Sequence, residues 1–174
     1  PDFANSRETL KKIGEFPVNS MSILQAWVLF AYYNQLSVSE LKKVLKNWKS
    51  SNEQISETLI GYQTLLNRLD KEWDSFMAYK CSERIALEIE GLLPGLGRTE
   101  NHKILTQVYK TLPIHSMQEI QIDGFGVKEA LKLEKMGPKI GEVLQAVEKA
   151  ILSGELKNEN HEIVDWIRNH FLKN

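Results

Sequence analysis

Apolar residues recur at helical spacing along most of the chain. Leu41, Val44, Leu45 and Trp48 form one set, and Ile55, Leu59, Tyr62, Leu66 and Leu69 a second. Ile104, Leu105, Val108 and Leu112 form a third, and the clearest is Ile140, Val143, Leu144, Val147 and Ile151. Each set falls on one face of a 3.6-residue helix. No segment sustains a two-residue alternation with hairpin turns, so strands are not expected. Capping signals agree. Ser37, and Ser51 or Asn52, are good N-caps, because their side chains accept from the free N–H groups of a helix start. Ser116-Met117-Gln118-Glu119 has capping-box spacing. Pro138 suits a first turn, where its missing N–H costs nothing, and Gly154 suits a left-handed stop. These signals predict helices at about 5–14, 20–35, 38–49, 52–69, 73–92, 99–112, 126–135, 138–153 and 159–172. The predicted fold is all-α: a helical bundle over 1–112, then a smaller helical unit over 113–174. Segment 20–35 is apolar on most sides and is expected at the centre of the bundle.

Composition narrows the class. The chain has 174 residues and is 42% apolar, as an ordinary globular protein is. Its longest strongly apolar run, 26–33, is far too short to span a bilayer. No charged-then-apolar signal segment opens it. A cytoplasmic chain with no membrane partner is therefore expected. Pro1 in place of an initiating methionine suggests a processed chain or an excised fragment. Cys81 is the single cysteine, which excludes an internal disulfide and a cysteine-based zinc site. It is expected to be a packing residue.

Catalytic patterns are missing. A two-metal site wants clustered carboxylates, such as Asp-x-Asp, beside a phosphate-binding loop, and the chain has no Asp-x-Asp. Nor does it have a Gly-x-x-x-x-Gly-Lys-Ser/Thr loop or a Gly-x-Ser-x-Gly turn. Gly95-Leu96-Gly97 lacks a third glycine and a preceding strand, and reads as a loop. Glu88 and Glu90 point apart on a helix and read as a solvated face. His102, His115, His161 and His170 show no metal-ligand spacing and read as surface or capping residues. Neither a catalytic nor a metal-binding residue is expected here.

Two basic stripes remain. Lys42, Lys46 and Lys49 fall at i, i+4 and i+7, opposite Leu41, Val44 and Leu45. Like charges at that spacing repel, and a polyanion would relieve them; a solvated polar face is the alternative. Lys128, Lys132 and Lys135 share a face of the helix predicted at 126–135, and Lys139 opens the next. Between them lies Gly137-Pro138-Lys139-Ile140-Gly141. Glycines let a backbone come close to a ligand, and the following helix start presents N–H groups and the positive end of its dipole. A tight interhelical turn, with glycines for packing, is the competing reading. Charge limits the nucleic-acid reading. The net charge is −1, and residues 113–174 carry 8 Lys+Arg against 10 Asp+Glu. Affinity would have to come from backbone contacts and local lysines.

These segments resemble a known family. Leu112-Pro113-Ile114, Asp123-Gly124, the run Gly137 through Leu144, and Ser153 through Asn158 closely resemble the tail of bacterial-type (class II) CCA-adding tRNA nucleotidyltransferases. Trp48-Lys49-Ser50-Ser51-Asn52 resembles the Trp-Lys-x-Ser-Asn stretch of the same family's body. The resemblance implies a seahorse-shaped enzyme of head, neck, body and tail. The family's head and neck hold the Gly-Ser loop, the metal-binding Asp-x-Asp and the Glu-Asp-x-x-Arg that selects CTP or ATP. None of these motifs occurs here. Mg²⁺ and CTP or ATP would therefore belong to a missing head and neck, and this chain would need no cofactor. The resemblance implies a tail that holds the TΨC arm at the tRNA elbow, largely through backbone contacts, and a body beside the acceptor arm. The candidate RNA-binding residues are Gly137, Lys139, Gly141, Lys128, Lys132, Lys135, Lys42, Lys46 and Lys49. The expected partners are tRNA and the catalytic head and neck. Two other readings stay open: a helix-hairpin-helix DNA-binding module, and a helical protein-interaction domain built around Trp27, Phe30 and Tyr33.

Overall fold

The computed structural model describes residues 6–16 and 20–172. Among the described residues it contains ten α-helices and no strand. They are α1 (Ser6–Gly14), α2 (Ile23–Tyr33), α3 (Val38–Asn47), α4 (Asn52–Asp70), α5 (Ser75–Lys80), α6 (Glu83–Glu90), α7 (His102–Lys110), α8 (Gly124–Ala130), α9 (Pro138–Leu152) and α10 (Asn160–Phe171). Short 3₁₀ turns occupy Pro94–Leu96 and Met117–Glu119. No described helix is long and apolar enough to cross a membrane. The chain divides into two compact units, Pro1–Tyr109 and Lys110–Asn174. Residue 5, the start of the first predicted helix, lies outside the described residues.

In the first unit α4 is the hub, packing against α2, α3, α5 and α6. Gly61 lets α2 and α6 pack close to α4: a Cβ there would lie 3.3 Å from Leu24 Cδ2 and 3.5 Å from Ile89 Cδ1. One residue later on the same helix, Tyr62 donates from its hydroxyl to the Leu36 carbonyl at 2.7 Å, fixing the turn between α2 and α3. Ser22, Ser37 and Ser51 each cap a helix and each close a capping box, with Gln25, Glu40 and Gln54. Hydrogen bonds from the Ser37 side chain and backbone hold the Glu40 carboxyl below its ordinary range.

Several expectations are corrected. α2 is not central. Leu24, Val28, Leu29 and Ala31 face inward, but Ile23 is exposed and Trp27 and Phe30 are only half-buried. The helix predicted at 73–92 is two helices, because Asp74 caps α5 and Ser82 starts α6 anew. Cys81 lies at that break rather than within a helix. It is buried, and burial pushes its thiol pKa up, as suits an inert packing residue. Ser116 makes no side-chain cap. Glu119 accepts instead from the His115 N–H at 3.0 Å.

The largest correction concerns Glu90. It is 0% exposed rather than solvated. One carboxylate oxygen accepts from Arg68 Nε at 2.7 Å and from the Trp73 indole N–H. The other accepts from the Asn101 backbone N–H at 3.0 Å. Arg68, itself buried, also donates to the Lys71 carbonyl at 3.2 Å and the Thr99 carbonyl at 3.4 Å, and pairs with Glu72 at 3.1 Å. A buried charge survives only when its hydrogen bonds are met. Among the described residues no buried side-chain polar atom lacks a partner. Glu88 is also engaged, accepting from Ser22 Oγ and, at 2.8 Å, from Arg84.

The second unit packs α8, α9 and α10 against one another. Ile140, Val143, Val147 and Ile151 of α9 are buried, as are Ile163 and Ile167 of α10. Leu144 is only half-buried. Asn158 ties the segment 119–121 in place: its amide donates to the Glu119 carbonyl at 2.8 Å, and its oxygen accepts from the Gln121 N–H at 2.9 Å. Asn160 adds a bond to the Gln121 carbonyl at 2.7 Å.

Removing Arg68 leaves the buried Glu90 carboxylate without its counter-charge. Arg68→Ala should destabilise the first unit by about 3–5 kcal/mol. Arg84→Ala, which breaks exposed pairs to Glu57 and Glu88, should cost about 0–1 kcal/mol. Urea unfolding followed by circular dichroism compares the two; equal costs would show that Glu90 is solvated after all.

Candidate nucleic-acid interface

In the second unit the candidate site is the hairpin from α8 to α9. Asp123 caps α8, accepting from the Gly126 N–H at 2.8 Å. The helix then ends at Ala130, earlier than predicted. The Lys132 N–H bonds the Glu129 carbonyl at 3.1 Å and the Leu133 N–H reaches the Lys128 carbonyl at 3.0 Å. That pairing is a Schellman closure, and it places Lys132 in the left-handed region at φ 52°. Lys128, Lys132 and Lys135 therefore do not share a helical face. Lys128 is half-buried on α8, while Lys132 and Lys135 are exposed in the connecting turn.

Gly137 is the extended N-cap of α9, Pro138 follows at the first turn, and no side chain caps the helix start. A Cβ added at Gly137 or Gly141 would meet nothing within 4 Å. Both glycines are exposed. Internal packing therefore does not require them, and the glycines-for-packing reading fails at these two positions. It holds at Gly124, where a Cβ would come within 3.1 Å of Met136 Cε, and at Gly126, where it would crowd Ile122 at 2.7 Å. Ile140 is buried beneath the turn. The Lys139 ammonium lies 5.6 Å from the centre of the Phe171 ring, a cation–π contact that holds it at the α9 start.

In the first unit Lys42 and Lys46 lie exposed on α3, opposite the buried Leu41, Val44 and Leu45. Lys49 does not continue that stripe as a helical residue. α3 ends at Asn47, and Lys49 sits beyond it at φ 56°, closed by a Ser50 N–H bond to the Leu45 carbonyl at 3.1 Å. Two of the candidate lysines thus occupy left-handed helix ends, where glycine is the usual residue. No sequence signal marks such a position when glycine is absent. Phe125 and Met136, exposed on the α8–α9 hairpin, were also not singled out by periodicity. Glu159, His161 and Glu162 gather at the start of α10, where negative groups suit the helix dipole.

A family profile described as tRNA nucleotidyltransferase domain 2 matches residues 19–167. The chain belongs to this family. It is 29% identical over 172 residues to the CCA-adding enzyme of Bacillus mycoides strain KBAB4 and 28% identical to that of Bacillus cereus strain AH820. Each match covers 97% of this chain and 43% of the relative. The chain thus spans less than half the length of these relatives, over their body and tail. Its fold is that of the crystal structure of the Bacillus stearothermophilus CCA-adding enzyme in complex with CTP, with a TM-score of 0.79 at 22% identity, again over 97% of this chain and 43% of that one.

The left-handed lysines have a measurable cost. A non-glycine residue there loses about 1–2 kcal/mol, against the roughly 0.5–1 kcal/mol that glycine loses in chain entropy. Lys132→Gly should therefore raise stability by about 0.5–1 kcal/mol, seen as a higher denaturation midpoint with an unchanged slope. A fall in the midpoint would mean that the Lys132 side chain makes contacts that the fold needs.

Proposed function

We propose that this chain is the tRNA-holding body and tail of a CCA-adding tRNA nucleotidyltransferase, positioning its substrate without carrying out the chemistry. One observation carries the reading. The start of α9 is uncapped by any side chain and bears two exposed glycines that the core does not use. Around it stand Lys132, Lys135 and Lys139. A phosphate can approach such a helix start closely, and main-chain N–H groups with the helix dipole bind it. The near-neutral charge of the chain is then no obstacle, because the contacts are local. Phe125 and Met136 offer an apolar edge for a sugar or base beside those phosphates. The RNA element taken here is the TΨC arm at the elbow. Lys42, Lys46 and Lys49 of the first unit contact acceptor-arm phosphates.

Catalysis belongs elsewhere in the enzyme. Mg²⁺ and CTP or ATP are assigned to the head and neck, because the motifs that hold them in the family do not occur in this chain. The purified chain should not extend tRNA with either nucleotide; incorporation of labelled CTP into tRNA by contaminant-free protein would refute this.

Gly141→Val tests the hairpin. A Cβ at this exposed position meets nothing within 4 Å outside its own helix backbone, so folding should be little harmed while close approach of a phosphate is blocked. Lys139→Ala removes a charge and its contact with the Phe171 ring but leaves the backbone open, and its effect should be smaller. Both variants should lose affinity for whole tRNA far more than for an acceptor-stem minihelix, at fixed salt. Equal tRNA affinity for folded Gly141→Val and the parent would make the turn a structural joint, and tighter binding to duplex DNA than to tRNA would favour a DNA-binding hairpin.

The body lysines are tested by salt. Replacing Lys42, Lys46 and Lys49 together with alanine should reduce the slope of log affinity against log salt by about 2–3. An unchanged slope would leave this face as ordinary solvated surface.

A further inference from the structure

A pocket of about 270 Å³ opens between α4 and α5 in the first unit. Its lining has three chemically distinct parts. The buried Met77 and the half-buried Ile60 and Phe76 give an apolar wall. Gln63 and Asn67, one turn apart on α4, add two carboxamides. Lys71, just past the end of α4, and Lys80, the last residue of α5, add two exposed ammonium groups. Among the described residues no acidic side chain lines the pocket. Asp74 pairs with Lys71 through one oxygen, and its other oxygen accepts from the Met77 N–H at 2.8 Å, where it caps α5. An ammonium has three donors, so that pair still leaves Lys71 able to bind an anion. Lys80 Nζ lies 4.8 Å from the centre of the Tyr79 ring, a contact that steadies it. Gln63 Nε2 donates to Asn67 Oδ1 at 3.4 Å. Each carboxamide has a donor and an acceptor side. The bond between them uses the donor of Gln63 and the acceptor of Asn67. The Gln63 carbonyl oxygen and the Asn67 amide group remain as an acceptor–donor pair for the edge of a ligand.

These three parts discriminate among ligand classes. An alkyl chain would set the carboxamides and ammonium groups against hydrocarbon, which is costly. Inorganic phosphate would use the lysines and leave the apolar wall wet. A flat heterocycle carrying a phosphate uses all three: its ring on the apolar wall, its polar edge on Gln63 and Asn67, its phosphate on Lys71 and Lys80. The volume lies just below the roughly 300–1,000 Å³ of sites for larger ligands, so the occupant is a single such unit. We infer that this pocket binds a free nucleoside monophosphate. It belongs to the first unit, and the α8–α9 hairpin belongs to the second.

Isothermal titration calorimetry of the full chain at fixed salt tests this with adenosine 5′-monophosphate, adenosine and inorganic phosphate. The monophosphate should bind at least about 10-fold more tightly than either fragment, because a hydrogen bond to a charged group is worth about that factor. Lys71→Gln combined with Lys80→Gln should weaken the monophosphate by about 10–100-fold and leave adenosine unchanged. Asn67→Leu puts a better helix former on α4; it should weaken the monophosphate and adenosine alike and leave phosphate unchanged. Circular dichroism checks that each variant is folded. Methyl NMR of the methionines reads the place: the Met77 methyl should shift on titration, while Met136, on the α8–α9 hairpin, should not. Equal affinity for the monophosphate and inorganic phosphate overturns the inference, as does a shift of Met136 with Met77 still. Absence of binding at millimolar monophosphate also overturns it. Tighter binding of a 5′-phosphorylated trinucleotide would give the pocket to a strand end and overturn the assignment to a free nucleotide.

Discussion

The first unit is organised around one buried negative charge. Glu90 closes α6, yet its partners come from three other places: Arg68 near the end of α4, Trp73 in the segment after it, and the Asn101 backbone just before α7. Taking a carboxylate out of water is costly by several kcal/mol, so each partner must be in place for the arrangement to persist. Shape alone would let these segments pack in several ways. The carboxylate admits the arrangement that delivers all three donors at once. Arg68 extends the constraint through the Lys71 and Thr99 carbonyls, so two stretches of irregular chain are held by the same pair of residues.

The second unit solves a related problem with neutral groups. The segment 119–121 has a 3₁₀ turn on one side and no regular partner. Asn158 and Asn160 meet its backbone groups in the way a neighbouring strand would. Those two asparagines flank the start of α10, so the connection from α9 to α10 also secures the approach to α8. This gives Asn158, the last residue of the tail-like motif, a structural reason to be an asparagine.

The helices were legible wherever a polar cap met an amphipathic run. Ser37, Ser51, Pro138 and Gly154 stand where their chemistry predicts, and the α9 face is buried along Ile140, Val143, Val147 and Ile151. Tertiary pairing was not legible. Glu90 looks like any surface acid in a helix until Arg68, twenty-two positions away, is brought beside it. The ends of α3 and α8 were placed too late for a related reason. The usual stop signal is glycine, and Lys49 and Lys132 carry the left-handed conformation instead. For the candidate site, the sequence pointed to Gly137 through Gly141 as a backbone-exposing turn. What it could not supply was the emptiness around a Cβ at Gly137 and Gly141, which separates an open glycine from a packing one.

That emptiness bears on which molecules such a hairpin can tell apart. Main-chain N–H groups meet phosphates, and phosphates are the same beneath every base. A surface of this kind measures the path of a backbone through space and is blind to the letters it carries. On the proposed reading, discrimination rests on the folded outline of the RNA, and nucleotide changes that preserve that outline pass unnoticed. A single hairpin built this way can serve a whole population of RNAs that share a shape and little else.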